Sequence, residues 1–291
     1  MAEPPLLPFQ ANVTSQCGED GVIARALELL GPDDCDGWCV EFGAADGREA
    51  SNTYSLITSR GYRAVLIEGD PARFAALSGR HAERPDVHAL HRMVGFEGPD
   101  RLDQLLAATP VPIDFDLLSI DIDGNDYHVW EAVRVYRPKL VVIEFNPTIP
   151  NEVDFVQPRD LTVRQGSSLT ALARLARDKG YRLIHATQLN GVFADERYFS
   201  RFGVHDDSPS ALRTDLSLVS WLFQTYDGRL HLSGYDRLFW HDVPLDRRRL
   251  QQVPRPLRDF PEALPRPLRA GYRLWRGWRE PAAELRRRAG R

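Results

Sequence analysis

Three aspartates fall within six positions of the stretch SIDIDGNDYHVW, Ser119 to Trp130, directly after the apolar run FDLL. Residues two apart share a face of an extended chain, so Asp121 and Asp123 lean the same way if the strand continues that far. On the run PKLVVIEFNP, Glu144 and Asn146 have the same relation. Crowded carboxylates raise one another's pKa unless a cation, a donor or solvent compensates. Three roles suit such a group. One carboxylate of Asp121, Asp123, Asp126 or Glu144 acts as a general base toward a hydroxyl. Alternatively, Asp121, Asp123 and Asn146 hold a hard cation such as Mg2+ that acidifies a bound hydroxyl. Least specifically, the oxygens hydrogen-bond a polar substrate, with Asn125, Asn146 and His185 beside them. His128 is an alternative base, although a lone histidine near an apolar face is more often structural. A calcium loop is excluded, because position twelve from Asp121 is Ala132 where an EF-hand requires glutamate.

These residues need a frame, and the chain alternates apolar runs with amphipathic stretches as a parallel sheet flanked by helices does. Strands are expected at 38–47, 62–70, 87–95, 115–123 and 138–147, with helices at 20–30, 52–61, 71–83, 101–109, 126–136 and 168–180. A terminal hairpin follows at 181–199. The fold class is therefore α/β, mostly parallel and doubly wound, and such sheets bind ligands beyond the carboxyl ends of their strands. Four of the expected strands end in carboxylates: Glu41 to Asp46, Glu68 to Asp70, Asp121 to Asp123, and Glu144. The polar, proline-bearing segment 146–168 is a candidate lid.

Composition sets the outer bounds. The 291 residues are 43% hydrophobic and 27% charged, enough for one large α/β domain and an appendage. No apolar run approaches the length that spans a bilayer, and the first ten residues lack a signal-peptide pattern, so a cytoplasmic protein is expected. Cys17, Cys35 and Cys39 have neither zinc nor disulfide spacing and read as reduced. The net charge of −4 hides a tail, Asp246 to Arg291, with fourteen arginines against five acidic residues.

The segment VEFGAADG resembles the glycine-rich loop of class I S-adenosylmethionine-dependent methyltransferases. Glu41, Gly43 and Gly47 match its acidic and outer glycine positions, whereas Ala45 replaces the middle glycine. That departure implies a looser approach to a ligand or a backbone with negative φ. A dinucleotide fingerprint fits less well: G-x-G-x-x-G is absent, and Asp46 would face a pyrophosphate with negative charge. Taken with SQCGEDGVI, GYRAVLIEGD and VVIEFNP, residues 12 to 200 resemble FkbM-like bacterial methyltransferases. The resemblance implies a Rossmann-like sheet of seven strands, S-adenosylmethionine as cofactor and O-methylation of a sugar, nucleotide-sugar or glycan. It places Glu41, Gly43, Ala44 and Asp46 at the methionine end of the cofactor, Ser51, Asn52 and Thr53 near its carboxylate, and Glu68 on the ribose. Gln16 and Asp20 would fold over the pocket, unless Asp20 merely caps its helix. The rival reading is a noncatalytic carbohydrate-binding or scaffold protein that keeps this fold.

The expected organisation is an amino-terminal helical segment (1–35) covering the cofactor site, a Rossmann-like domain (36–215) and an extension (216–291). From Leu216 onward the chain reads as strand-rich or helical. Its arginine-rich end interleaves Tyr272, Leu274, Trp275 and Trp278 with basic residues, as a surface helix broken by Pro281 would. That end suits an anionic membrane surface, an acidic polymer or a partner subunit, including a homodimer, and a seat on the inner membrane is its peripheral variant. Nucleic acid is not expected, because no recognition motif accompanies the charge.

Overall fold

A computed structural model describes residues 3–289, with side chains described up to residue 279. The chain forms two compact units, Met1–Leu216 and Ser217–Arg291. In the first, α1 (Glu19–Leu30) precedes β1 (Trp38–Phe42), α2 (Tyr54–Ser59), β2 (Arg63–Glu68), α3 (Pro71–Arg80), β3 (Val87–His91) and α4 (Leu102–Leu106). Then come β4 (Leu117–Ile120), α5 (Asp126–Ala132), β5 (Leu140–Glu144), α6 (Leu169–Asp178), β6 (Tyr181–Ala186), β7 (Asn190–Asp195) and α7 (Pro209–Leu212). Local chemistry sets several boundaries. Asp70 caps α3 by accepting from the amides of Ala72 and Arg73, with Pro71 in the first turn, and Ser168 caps α6 through the amide of Ala171.

The strands join one seven-stranded sheet in the order β3-β2-β1-β4-β5-β7-β6. All neighbouring pairs from β3 to β5 are parallel, and β7 runs antiparallel to both β5 and β6. This is a Rossmann-like, doubly wound sheet. Its central strands are apolar and buried along their length, as strands covered on both faces must be. The order reverses between β1 and β4, the kind of switch point beside which such sheets bind ligands at the carboxyl ends of their strands. The three cysteines are free thiols, and Cys39 is buried within β1.

In the second unit, β8 (Ser220–Gln224) and β9 (Leu230–Gly234) form a hairpin, and β10 (Arg237–Leu238) pairs with β11 (Val243–Pro244). Two helices follow, α8 (Arg247–Leu250) and α9 (Arg266–Ala289). The break expected at Pro281 does not occur: the backbone of α9 continues through it. Among the described residues, no helix is long and apolar enough to cross a membrane.

Candidate active site

The register builds the site. Ile67, Phe42, Ile120 and Ile143 stand side by side on β2, β1, β4 and β5. One residue further along are Glu68 and Glu144, the last residues of β2 and β5, and Gly43 and Asp121, which directly follow β1 and β4. Glycine is required after β1, because a Cβ on Gly43 would collide with the carbonyl oxygen of Asp121. The loops after β1 and β4 are thus in backbone contact at the switch point.

Extended conformation does not carry Asp121 and Asp123 onto one face, as the sequence suggested. β4 ends at Ile120, and Asp123 lies at φ 56 in a tight turn. The turn nevertheless gathers the oxygens: one each from Asp121, Asp123 and Glu144 lie within 4.8 Å of one another. Asp121 and Glu144 bring carboxylate oxygens close together, a crowding that favours the protonated form. Burial, followed by the charges of Asp126, Asp123 and Glu41, pushes Asp121 up to about 7. Glu144 stands well above the usual carboxylate range, first through burial and then through Asp121.

Asp126 serves the turn itself. Its two oxygens accept from the amides of Ile122 and Gly124, both at 2.9 Å, while burial raises its pKa to about 6. Asn146 is likewise engaged locally: its oxygen accepts from the amide and hydroxyl of Thr148, and its Nδ2 donates to the Gln165 carbonyl. Glu144 supplies an oxygen beside those of Asp121 and Asp123. Asn125 donates to the carbonyls of Asp160 and Val163, and the His128 ring lies 2.9 Å from the Gln157 carbonyl. These contacts dock the segment 155–168 on the acidic turn. Gln157, almost fully buried, pins that segment by accepting from the amides of Gln165 and Gly166 and donating to the Val163 carbonyl.

At the end of β1, Glu41 is buried and closed upon its own loop. It accepts from the Ser51 and Thr53 hydroxyls, each at 2.6 Å, and from the Asn52 amide at 2.8 Å. Asn52 also reaches Ser119 on β4. Burial raises the Glu41 pKa against these hydrogen bonds. Glu68 accepts from the amides of Ala45 and Asp70, leaving further lone pairs on each oxygen. Ala44 is buried within the loop, and its amide donates to the Ile67 carbonyl. Ala45 does not avoid positive φ as the sequence implied; it lies at φ 47. Asp46 closes a turn through the amides of Arg48 and Glu49 and pairs with Arg80, which hold its pKa below the usual range.

Two further features have anchors that the sequence did not disclose. The first is a strap, residues 12–20. Asp20 accepts from the amides of Val13, Thr14 and Ser15 through one oxygen, while its buried Oδ1 has no partner. Thr14 donates to the Ser51 carbonyl beside β1. At the other end, fully buried Glu19 accepts from Thr187 and Asn190 at the β6–β7 turn. Strands β4 and β5 lie between those anchors in the sheet. Gln16 is exposed on the strap, and only its backbone carbonyl is engaged, by Asn12.

The second is Asn190. It stands opposite Glu144 in the antiparallel pairing. Because the Phe145 amide donates to the Leu189 carbonyl, Glu144 and Asn190 form the non-hydrogen-bonded pair, the kind whose side chains come closest. Asn190 is 5% exposed and its Oδ1 lacks a partner. The alternation of the hairpin carries this signal only once the pairing register of β5 and β7 is known. His185 lies elsewhere, fully buried on β6 against Gln10 at 3.0 Å.

No family model and no curated protein matches the chain. Among solved structures it is similar to the CurJ carbon methyltransferase, at 10% identity over 60% of this chain and 52% of that one, with a TM-score of 0.40. A Bacillus cereus O-methyltransferase in complex with SAH has 21% identity over 40% and 53% of the two chains, with a TM-score of 0.29. An Aquifex aeolicus SAM-dependent methyltransferase has 12% identity over 67% and 98%, with a TM-score of 0.37. The chain spans about half the length of the first two. The likeness is one of fold, and the strand order stands without it.

Proposed function

We propose that the chain is an S-adenosylmethionine-dependent methyltransferase that methylates a hydroxyl of a sugar, nucleotide-sugar or glycan. The observation that carries this reading is the set of carboxylates Glu68, Asp121 and Glu144 at the carboxyl ends of β2, β4 and β5, on the two sides of the switch point. Such a rim of acceptors fits a cationic sulfonium ligand and disfavours a phosphate. Glu68 retains lone pairs for the ribose hydroxyls, and the unpartnered Oδ1 of Asp20 adds a buried acceptor under the strap. The bound cofactor supplies an electrophilic methyl carbon. A substrate hydroxyl held beside these carboxylates would be the methyl acceptor, and Asp121 or Glu144 would take its proton. Orientation of the hydroxyl in line with the leaving sulfur contributes as much as proton removal.

Asp121, Asp123 and Glu144 also fit a hard divalent cation such as Mg2+, offering three oxygens within 4.8 Å of one another. Bound there, it would lower the pKa of the substrate hydroxyl. A noncatalytic carbohydrate-binding protein is the second reading. Ala45 favours it, because a methyl group stands in the loop where the methyltransferase pattern has glycine.

Calorimetric titration with S-adenosylmethionine separates the two: saturable binding below millimolar ligand is expected, and its absence overturns the methyltransferase reading. Once mass spectrometry of products from a panel of nucleotide sugars and glycans yields an acceptor, Asp121→Asn is expected to slow transfer by about 100-fold to 10,000-fold. Cofactor affinity should remain within about threefold, and unchanged turnover would remove Asp121 from the chemistry.

A further inference from the structure

The arginine-rich end of the chain carries an inference that does not depend on methyl transfer. Within the second unit, α9 leaves Tyr272, Trp275 and Arg279 half-buried. Arg279 donates to Gln252 at 2.6 Å, and Arg269 donates to the carbonyls of Glu262 and Leu264. At 100° per residue, 272, 275 and 279 cluster on one side of the helix. Leu274 and Trp278, one turn apart, occupy a side rotated by about a third of a turn. They are 77% and 72% exposed. The helix that displays them has eight arginines and two glutamates in its sequence, and α8 adds Arg247, Arg248 and Arg249.

We propose that α9 seats this unit on an anionic lipid bilayer, with Leu274 and Trp278 entering the headgroup layer and neighbouring arginines meeting lipid phosphates. Tryptophan suits that depth, since its ring is apolar while its N–H finds an acceptor at the interface. Arginine stems lie along the apolar boundary and carry their charge outward to the phosphates. Negative lipid draws the basic cluster to the surface, and apolar contact then holds it. A second copy of the chain fits the face poorly, because an isologous contact would set two arginine clusters against each other. A free polyanion would engage the arginines but leave Leu274 and Trp278 in water.

The test is co-sedimentation of the full chain with vesicles of mixed phosphatidylcholine and phosphatidylglycerol, against vesicles of phosphatidylcholine alone. Binding to the mixed vesicles is expected, with a blue shift of tryptophan fluorescence and weakening in salt. The double variant Leu274→Ala/Trp278→Ala, whose folding is checked by circular dichroism, should partition at least about tenfold less. Failure of the parent to bind mixed vesicles overturns the proposal, as does undiminished binding by the variant. Dextran sulfate binding that matches vesicle binding in both proteins identifies a polyanion site and overturns it too. So does a parent dimer that the double variant dissolves and that binds no vesicles.

Discussion

Ala45 holds its methyl group at φ 47, in a region that L-residues enter at a cost. Its amide is fixed there by Glu68 at 2.8 Å, so the carboxylate that would receive a ribose also sets the loop. Replacement by glycine removes the strain and keeps the amide donor. Ala45→Gly is expected to raise stability by about 0.5–1 kcal/mol, read as a higher Tm, with a lower value contradicting the strain. His185 makes the pH case. Burial lowers its pKa to about 4, below its unfolded value near 6.5, so the folded chain excludes a proton that the unfolded chain accepts. The contribution is complete above about pH 6.5 and is lost as pH falls toward 4, on the order of 3 kcal/mol. Tm should therefore fall more steeply over that window in the parent than in His185→Gln, and parallel curves would rule this out. At this scale the acidic residues were legible because their types and spacing announce a cluster. Their partners were not. Nothing in the spacing of Asn146 and Glu144 says that the first turns to Thr148 and Gln165 while the second faces Asp121.

At the scale of elements, most strands and helices followed from apolar periodicity, glycine stops and caps. The strand through 115–123 was read too long because Asp121 and Asp123 continue the alternation of the apolar run, while the Asp126 carboxylate folds residues 122–126 into a turn. The segment 146–168 looked like a lid for want of regular structure. Buried Gln157 pins it through backbone groups eight and nine residues away, and Asn125 and His128 hold it to the acidic turn. The strap behaves similarly, with Asp20 collecting three amides. Asp20→Asn leaves fewer acceptors and places a buried donor where the unpartnered oxygen sits. A loss of about 2–4 kcal/mol is expected, with faster hydrogen exchange at the amides of Val13, Thr14 and Ser15. Unchanged exchange at those amides would show that Asp20 does not hold the strap.

For the whole molecule, charge is divided along the chain. Residues 217–291 contain sixteen arginines and eight acidic residues, a net of +8, so residues 1–216 carry −12 of the overall −4. Protein surfaces are felt locally, within about a Debye length, rather than as a sum. At pH 7 and low salt the chain is expected to bind both an anion exchanger and a cation exchanger, although net charge alone predicts only the first. Passage through the cation exchanger without retention would show that the basic cluster is masked. Arginine along α9 was visible in the sequence, as was the helical spacing. The exposure of Leu274 and Trp278 required the packing of Tyr272 and Trp275 to be known.

The sequence by itself determined the α/β alternation, the carboxylates at the strand ends and the glycine at position 43, because each is written in periodicity or in local backbone chemistry. Tertiary structure alone decided which oxygens meet. Parallel register set Asp121 beside Glu144, and the antiparallel return of β7 brought Asn190 opposite Glu144. Those pairings join residues distant along the chain, and register is fixed by the packing of whole strands rather than by any local signal.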